Sequence, residues 1–200
     1  MSKKILITGF GPFPGVDENP CTALIDSLAA YFNGSVNGHQ IECMHLETSY
    51  HDGLKSFRAK LTSYKPDLTI CFGVHGGADG FRLERVARNQ VNIDKPDQAG
   101  YTPILPILEQ NGPKQYESTL PLEVLLNALA AEDHQVIITE DAGGYLCNAS
   151  FYYLMQHLHA NKCDSHAPRM GGFIHIPQGQ PDTLFKAAKT LIKTAARNLT

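Results

Sequence analysis

A cysteine in VIITEDAGGYLCNASFYYL, residues 136–154, is the side chain of this sequence best placed for nucleophilic chemistry. Two glycines, Gly143 and Gly144, follow a β-branched run, and apolar residues recur at helical spacing from Phe151. This pattern predicts that Cys147 lies in the first turn of a helix, where the helix dipole and free N–H groups favour a thiolate. The same N–H groups would stabilise an oxyanion. The alternative is a small buried cysteine without chemistry.

A thiolate nucleophile needs a base, and the sequence offers nine histidines. His175 stands out because it lies inside the apolar segment GGFIHIPQGQ, just before Pro177, and the strand that leads to Cys147 precedes it. Strands that follow each other in sequence are often neighbours in a sheet, which favours His175. His75, after the apolar run of residues 68–72, is the rival. The histidines expected at the surface are His39, His51, His134, His157, His159 and His166.

A carboxylate that orients the imidazole would complete the site. Glu84, Asp94, Glu140 and Asp141 are all candidates, and the residue pattern alone does not choose among them. For Glu84 the competing interpretation is a surface ion-pair network, because an arginine lies on each side of it in the segment RLERVARN.

Two further motifs could indicate a binding site, one for a metal ion and one for a dinucleotide. His157, His159, Cys163 and His166 carry metal-ligating atoms, but their spacing matches no common zinc site, so no metal is expected. The GFG of residues 9–11 resembles the start of a dinucleotide-binding loop.

The loop after GFG does not suit a phosphate. Pro12 and Pro14 remove backbone N–H donors that a phosphate would need. Phe10 and Phe13 instead suit a small, flat, neutral ligand, or they belong to the core.

Composition limits the class of protein. The chain has 200 residues, enough for one domain over residues 1–200. Its 17 basic and 20 acidic residues nearly balance, which gives no electrostatic case for nucleic acid or membrane partners. The apolar runs fall short of a membrane span or a signal peptide. An odd number of cysteines, five, predicts free thiols and a cytoplasmic protein.

Alternating apolar patterns predict an α/β fold with three αβα layers and a largely parallel, mixed and twisted sheet. Strands are expected at residues 4–8, 41–46, 68–72, 135–139 and 172–176, with an extended segment at 83–93. Helices are expected from Asn19-Pro20, at 54–64, after Pro121, from Cys147 and at 181–199, whereas residues 98–118 resemble a loop. Such sheets place their chemistry at the carboxyl ends of strands.

Five separated blocks then give the chain a specific resemblance over nearly its whole length. They are TGFGPFPGVDENP, GVHGGADGFRLERVARN, STLPLEVLLNAL, DAGGYLCNASFYY and GFIHIP, in this order. The chain resembles the type I pyroglutamyl peptidases, also called pyrrolidone carboxyl peptidases. The resemblance implies a cytoplasmic thiol peptidase that hydrolyses the amide bond after an N-terminal pyroglutamyl residue, without metal or cofactor. It also implies a homotetramer. The apolar side chains of loop 98–118 would then form a subunit contact, and the alternative is that this segment folds back on its own core.

The resemblance also implies roles for single residues. Cys147 is the implied nucleophile, His175 the base and Glu84 its acidic partner. Phe10 and Phe13, together with Asn19, are the implied binding residues for the pyrrolidone ring.

Three positions depart from the pattern that many bacterial members share. Val74 and Ala78 replace a glutamine and an arginine, and Cys21 replaces a serine. A polar contact from position 74 and a hydroxyl from position 21 are therefore not expected. A nucleotide-binding protein and a catalytically silent lactam-binding module are the rival functions.

Overall fold

The computed structural model describes residues 2–12, 19–161 and 169–199. Phe13, Cys163 and His166 lie outside the described residues. The strands are β1 (Lys4–Phe10), β2 (Ser35–Val36), β3 (His39–Leu46), β4 (Leu68–Val74), β5 (Phe81–Glu84), β6 (Val86–Arg88), β7 (Gln115–Glu117), β8 (Val136–Thr139) and β9 (Met170–Ile176). The helices are α1 (Pro20–Phe32), α2 (Asp52–Tyr64), α3 (Leu122–Ala130), α4 (Leu146–Ala160) and α5 (Pro181–Arg197).

Seven of these strands form the main sheet, in the order β2-β3-β1-β4-β9-β5-β8. The four central strands β3, β1, β4 and β9 are parallel. β5 runs antiparallel to β9, and β8 runs parallel to β5. The predicted largely parallel, mixed sheet is therefore confirmed. Of its antiparallel pairings, that of β2 with β3 lies near one edge, and that of β5 with β9 involves the strand that carries His175.

Helices cover both faces of the sheet, as the sequence predicts. α1, α3 and α5 pack on one face, over a core that includes Ile7, Ile70 and Ile174. α2 and α4 pack on the other face, over a core that includes Phe57, Phe151 and Phe173. Because alternate strand residues point to opposite faces, each central strand contributes to both cores. Among the described helices, none is long and apolar enough to cross a membrane.

The first loop shows what the GFG glycines do. Asn19 caps α1, because its side-chain oxygen accepts a hydrogen bond of 2.9 Å from the Cys21 amide, and Pro20 is the first helical residue. A Cβ atom at Gly9 would lie only 2.7 Å from Ile25 on α1. Gly9 thus allows α1 to pack closely on β1, which explains a glycine there without a phosphate.

Two expectations about the middle of the chain are wrong. Residues 83–93 are not one extended segment, because β5 belongs to the main sheet while β6 pairs with β7 in a separate two-stranded sheet. The loop expected at 98–118 also contains β7.

The order of the strands differs from the sequence-based expectation as well. β8 is not the sheet neighbour of β9, since β5 lies between them. The argument from sequence order that favoured His175 was therefore wrong.

Candidate active site

Cys147 is the second residue of α4, as the sequence predicts. The helix begins because Tyr145 has extended backbone angles and its carbonyl accepts the first helical hydrogen bond, 3.0 Å from the Ala149 amide. The amides of the first turn have no acceptor within the helix and point out of its end. The half-buried thiol of Cys147 therefore lies at the positive end of α4, among backbone donors.

His175 lies at the carboxyl end of β9, and its side chain is only 3% exposed. Cys147 lines the same cavity as His175 and is close enough to contribute to the raised pKa of His175. The neighbouring position on β4 is Gly73, whose missing side chain leaves room for the sulfur: a Cβ there would lie 2.9 Å from the Cys147 Sγ. The gap at Gly73 allows the helix and the two strands to bring sulfur and imidazole together.

Glu84 completes the cluster from β5. Its side chain is fully buried, and its Oε1 lies 2.8 Å from the Nδ1 of His175. Thr139 at the end of β8 donates its hydroxyl hydrogen bond to the other oxygen of Glu84. With Nδ1 held by the carboxylate, Nε2 is the imidazole nitrogen that remains for the sulfur.

The antiparallel pairing of β5 and β9 explains why Glu84 reaches His175. Arg82 lies opposite His175 in this register and Glu84 lies opposite Phe173, so Glu84 and His175 are diagonal neighbours on one face of the sheet. Because Glu84 is fully buried, its interpretation as a surface residue is wrong, although one of the two flanking arginines, Arg82, does lie within ion-pair distance of it.

The charges of the cluster favour a protonated imidazole. Burial of His175 alone would lower its pKa, but the hydrogen bonds to Cys147 and Glu84, together with the negative charges of both, raise this pKa to about 9. At neutral pH the site therefore holds an imidazolium beside the sulfur, which is the charge state that a thiolate nucleophile requires.

Burial determines the state of the other described cysteines. Burial raises the pKa of Cys21 well above its usual range and raises the pKa of both Cys43 and Cys71 to about 12. These thiols stay protonated and unreactive at neutral pH. Cys21, Cys43, Cys71 and Cys147 are all free, so the predicted free thiols are confirmed for these four residues.

The remaining candidates do not join the site in the proposed roles. Asp94, Glu140 and Asp141 are exposed. His75 lies near His175, with 5.5 Å between ring centroids, but the buried carboxylate bonds to His175. The described residues contain no cluster of three or more metal-ligating side chains.

A cavity of about 130 Å³ opens beside the sulfur. Its lining includes Phe10, Asn19, Thr48, Val74 and Tyr145 in addition to Cys147 and His175. The structure thus brings two of the three predicted ring-binding residues, Phe10 and Asn19, to the cavity, while Phe13 lies outside the described residues.

The amide of Asn19 is already engaged in the fold. Its nitrogen donates to the Gly11 carbonyl at 2.7 Å, and its oxygen caps α1. Asn19 therefore holds the Gly11 carbonyl in place as well as lining the cavity.

Sequence reasoning missed Asn148, the residue after Cys147. It is fully buried, and its side chain makes three hydrogen bonds of 2.8–2.9 Å, two with the backbone of Arg88 and one with the Gln90 carbonyl. These bonds tie the start of α4 to the segment that follows β5. An asparagine in the first turns of an otherwise apolar helix was the available signal, because a buried amide requires partners.

Comparisons with known proteins agree over the whole chain. The profile of the family described as pyroglutamyl peptidase matches residues 3–192. A pyrrolidone-carboxylate peptidase of Brevibacillus brevis is 34% identical over 199 residues, which cover 96% of this chain and 88% of that protein. The crystal structure of pyroglutamyl peptidase I from Bacillus amyloliquefaciens has 30% identity and a TM-score of 0.85 and covers 98% of each chain.

A more distant structure has the same architecture. A mutant pyrrolidone carboxyl peptidase from the hyperthermophile Pyrococcus furiosus is 26% identical, with a TM-score of 0.88 over 98% of this chain and 100% of that one. The fold and these matches place the chain among the peptide hydrolases. More narrowly, the chain belongs to the pyroglutamyl peptidase family.

Proposed function

We propose that this single-domain protein is a cysteine peptidase that removes an N-terminal pyroglutamyl residue from peptides, with Cys147 as nucleophile, His175 as acid and base, and Glu84 as the carboxylate that orients His175. The observation that carries the proposal is the hydrogen bond between the His175 imidazole and the buried Glu84 carboxylate, with the Cys147 sulfur at the start of α4 beside the same small cavity. No metal or organic cofactor takes part.

The reaction proceeds in two halves. The Cys147 thiolate attacks the pyroglutamyl carbonyl carbon, and the carbonyl oxygen becomes an oxyanion that first-turn amides of α4 stabilise. The C–N bond then breaks as His175 gives its Nε2 proton to the leaving amine, which leaves a thioester. Neutral His175 next takes a proton from water, the hydroxide adds to the thioester and the C–S bond breaks. The thiolate and the imidazolium are thereby restored.

The chemistry of the cavity suits the pyroglutamyl ring. This ring is flat and uncharged and carries one lactam, so an aromatic wall and a few backbone hydrogen bonds are sufficient to bind it. Phe10 supplies such a wall. We extend the proposal to Phe13 and to Asn19, whose amide holds the Gly11 carbonyl next to Phe10.

Release of a chromophore from a pyroglutamyl amide tests the proposed function. Cys147→Ala should remove turnover, whereas Cys43→Ala, at a half-buried thiol away from the cavity, should keep most of it. A thiol-alkylating agent should likewise abolish turnover by the wild type. Substantial turnover by Cys147→Ala would refute the mechanism.

The same assay separates the two rival functions. A catalytically silent lactam-binding module would bind a pyrrolidone ligand without turnover. A nucleotide-binding protein would bind neither and would need a phosphate site, for which the segment after Gly9 is poorly suited.

We also propose that the protein acts in the cytoplasm as a homotetramer. An accessible thiolate needs a reducing compartment. The loop that precedes β7 exposes apolar side chains, among them Ile104 at 85% and Leu105 at 54% exposure. Subunit contacts would cover such a patch.

Light scattering after size exclusion tests the assembly. Ile104→Ser with Leu105→Ser should lower the mass of the particle, while Val124→Ser, at an exposed apolar residue of α3, should leave it unchanged. A wild-type monomer would refute the proposed tetramer.

A further inference from the structure

Arg82 places a second cation beside the carboxylate that holds His175. Its Nε lies 3.5 Å from the Oε1 of Glu84, and this same oxygen accepts the hydrogen bond from the imidazole at 2.8 Å. Arg82 also lies directly opposite His175 in the pairing of β5 with β9. One carboxylate oxygen therefore faces both a guanidinium and an imidazole.

The contact with Arg82 is electrostatic. The Nε of Arg82 is buried and has no hydrogen-bond partner among the described residues, although it lies within ion-pair distance of Glu84. The Arg82 side chain is mostly buried, so solvent screens its charge only weakly. The guanidinium therefore acts on the cluster by neutralising part of the Glu84 charge.

The other charged groups around His175 come from three elements. Cys147 approaches from α4, Glu84 and Arg82 lie on β5, and His75 follows β4. Burial, then the charges of His175 and Arg82, lower the pKa of His75 below 6.5. His75 is thus neutral above this pH. Lys95, from the loop after β6, also lines the cavity beside Cys147 and His175. Arg82 is a permanent cation within ion-pair distance of Glu84.

We propose that Arg82 is a positioning residue: by sharing the negative charge of Glu84, it keeps the His175 imidazolium acidic enough to give its proton to the leaving amine. A general acid works best when its proton affinity is close to the working pH. A fully buried carboxylate and a thiolate both stabilise the protonated form of the imidazole. Arg82 opposes them. The inference rests on the proposed function, because it assigns Arg82 to the same site.

Arg82→Met, Arg82→Lys and Arg85→Met test this role. Methionine keeps the length of the side chain without charge, and lysine restores the charge without the guanidinium. Arg85 is the matched control, because it lies just after β5 and pairs with the exposed Glu123 at 3.3 Å, away from His175. Two readouts are needed: the pH titration of His175 followed by NMR, and the basic limb of the pH profile of kcat/KM.

Arg82→Met should raise the midpoint of the His175 titration, and the basic limb with it, by on the order of one pH unit. Arg82→Lys should restore most of the difference, and Arg85→Met should titrate like the wild type. At neutral pH we expect Arg82→Met to lower kcat by about threefold to tenfold, because the acid is weaker.

An unchanged His175 midpoint in Arg82→Met, or an equal shift in Arg85→Met, would overturn the inference. If Arg82→Met does not fold, Arg82→Gln carries the same expectation. The NMR titration does not depend on turnover, so it distinguishes a failure of this inference from a failure of the proposed peptidase function.

Discussion

At the level of single residues, Phe10 has two roles. Its side chain is 4% exposed and belongs to the core under α2 and α4, and it also lines the cavity beside Cys147. Under the proposed function, a change at this position therefore affects the stability of the protein and ring binding together. The two effects can be separated with a second phenylalanine of the same core.

Phe10→Leu should weaken the binding of a pyrrolidone-type inhibitor by about tenfold, because it removes part of an aromatic wall at about 25 cal/mol per Å². The alkylation rate of Cys147 by a small reagent should hardly change, because that reagent does not use the ring pocket. Inhibitor affinity and alkylation rate are the two measurements.

Phe57→Leu is the control for Phe10→Leu. Phe57 is fully buried in the same core but does not line the cavity, so its loss should lower stability and leave inhibitor affinity unchanged. Equal affinity losses in both variants would show that Phe10 acts only through the core.

The site residues differ in how far the sequence predicts them. Cys147 could be placed because the start of a helix is a local signal, set by two glycines and an apolar repeat. Glu84 could not be chosen over three other carboxylates from the residue pattern. Its contact with His175 depends on the antiparallel register of β5 and β9, which short strands do not encode locally. The resemblance to known sequences supplied that choice.

At the level of elements, the close approach of α4 to β4 depends on Gly73. A Cβ at this position would lie 2.7 Å from the Phe173 ring and 2.9 Å from the Cys147 sulfur. Both distances are shorter than van der Waals contact, so the ring or the sulfur would have to move. The spacing of strand and helix therefore depends on a glycine.

Gly73→Ala should lower kcat at least tenfold, because a displacement of the proposed nucleophile by a fraction of an ångström would disturb its attack. We also expect a loss of about 1–3 kcal/mol in the free energy of unfolding from overpacking. Chromophore release and chemical denaturation measure the two effects.

Gly76→Ala is the matched control for Gly73→Ala, since a Cβ there meets nothing within 4 Å. It should keep wild-type activity and stability. Wild-type turnover in Gly73→Ala would mean that the site tolerates a shift of the sulfur or the ring.

The helices and strands also show where sequence patterns are sufficient to predict the structure. The five helices of the described residues are present where the apolar repeats or capping residues predict them, because helical periodicity is visible over two or more turns. The segment at 83–93 was misjudged because β5 and β6 have only four and three residues, too few to reveal a change of sheet. Tertiary pairing, rather than local propensity, separates them.

Across the whole molecule, several buried groups titrate differently in the folded and unfolded chain. The pKa of His175 rises to about 9 in the fold, and burial raises the pKa of Cys71 to about 12. The pKa values of His75 and His157 are lowered instead, mainly by burial. These shifts determine how the stability of the protein depends on pH.

The raised pKa of His175 determines whether the free energy of unfolding rises or falls with pH. The folded pKa lies above the unfolded value of 6.5, so the folded state binds the proton more tightly between these values. The contribution of His175 is therefore fully present below about pH 6.5 and is lost as the pH rises to about 9. The free energy of unfolding should fall in this window by up to about 1.4 kcal/mol per pH unit for this one proton.

Glu84→Gln tests the source of this slope. It removes one of the two partners that raise the pKa of His175, so the fall in stability between pH 6.5 and 9 should become shallower. Above about pH 9 both proteins should lose stability alike, because the buried thiols of Cys21 and Cys71 are ionised only in the unfolded chain. Urea denaturation with a reducing agent, at half-unit steps of pH, measures both regions. If the wild type and Glu84→Gln have the same slope between pH 6.5 and 9, the imidazole does not hold its proton through the buried carboxylate.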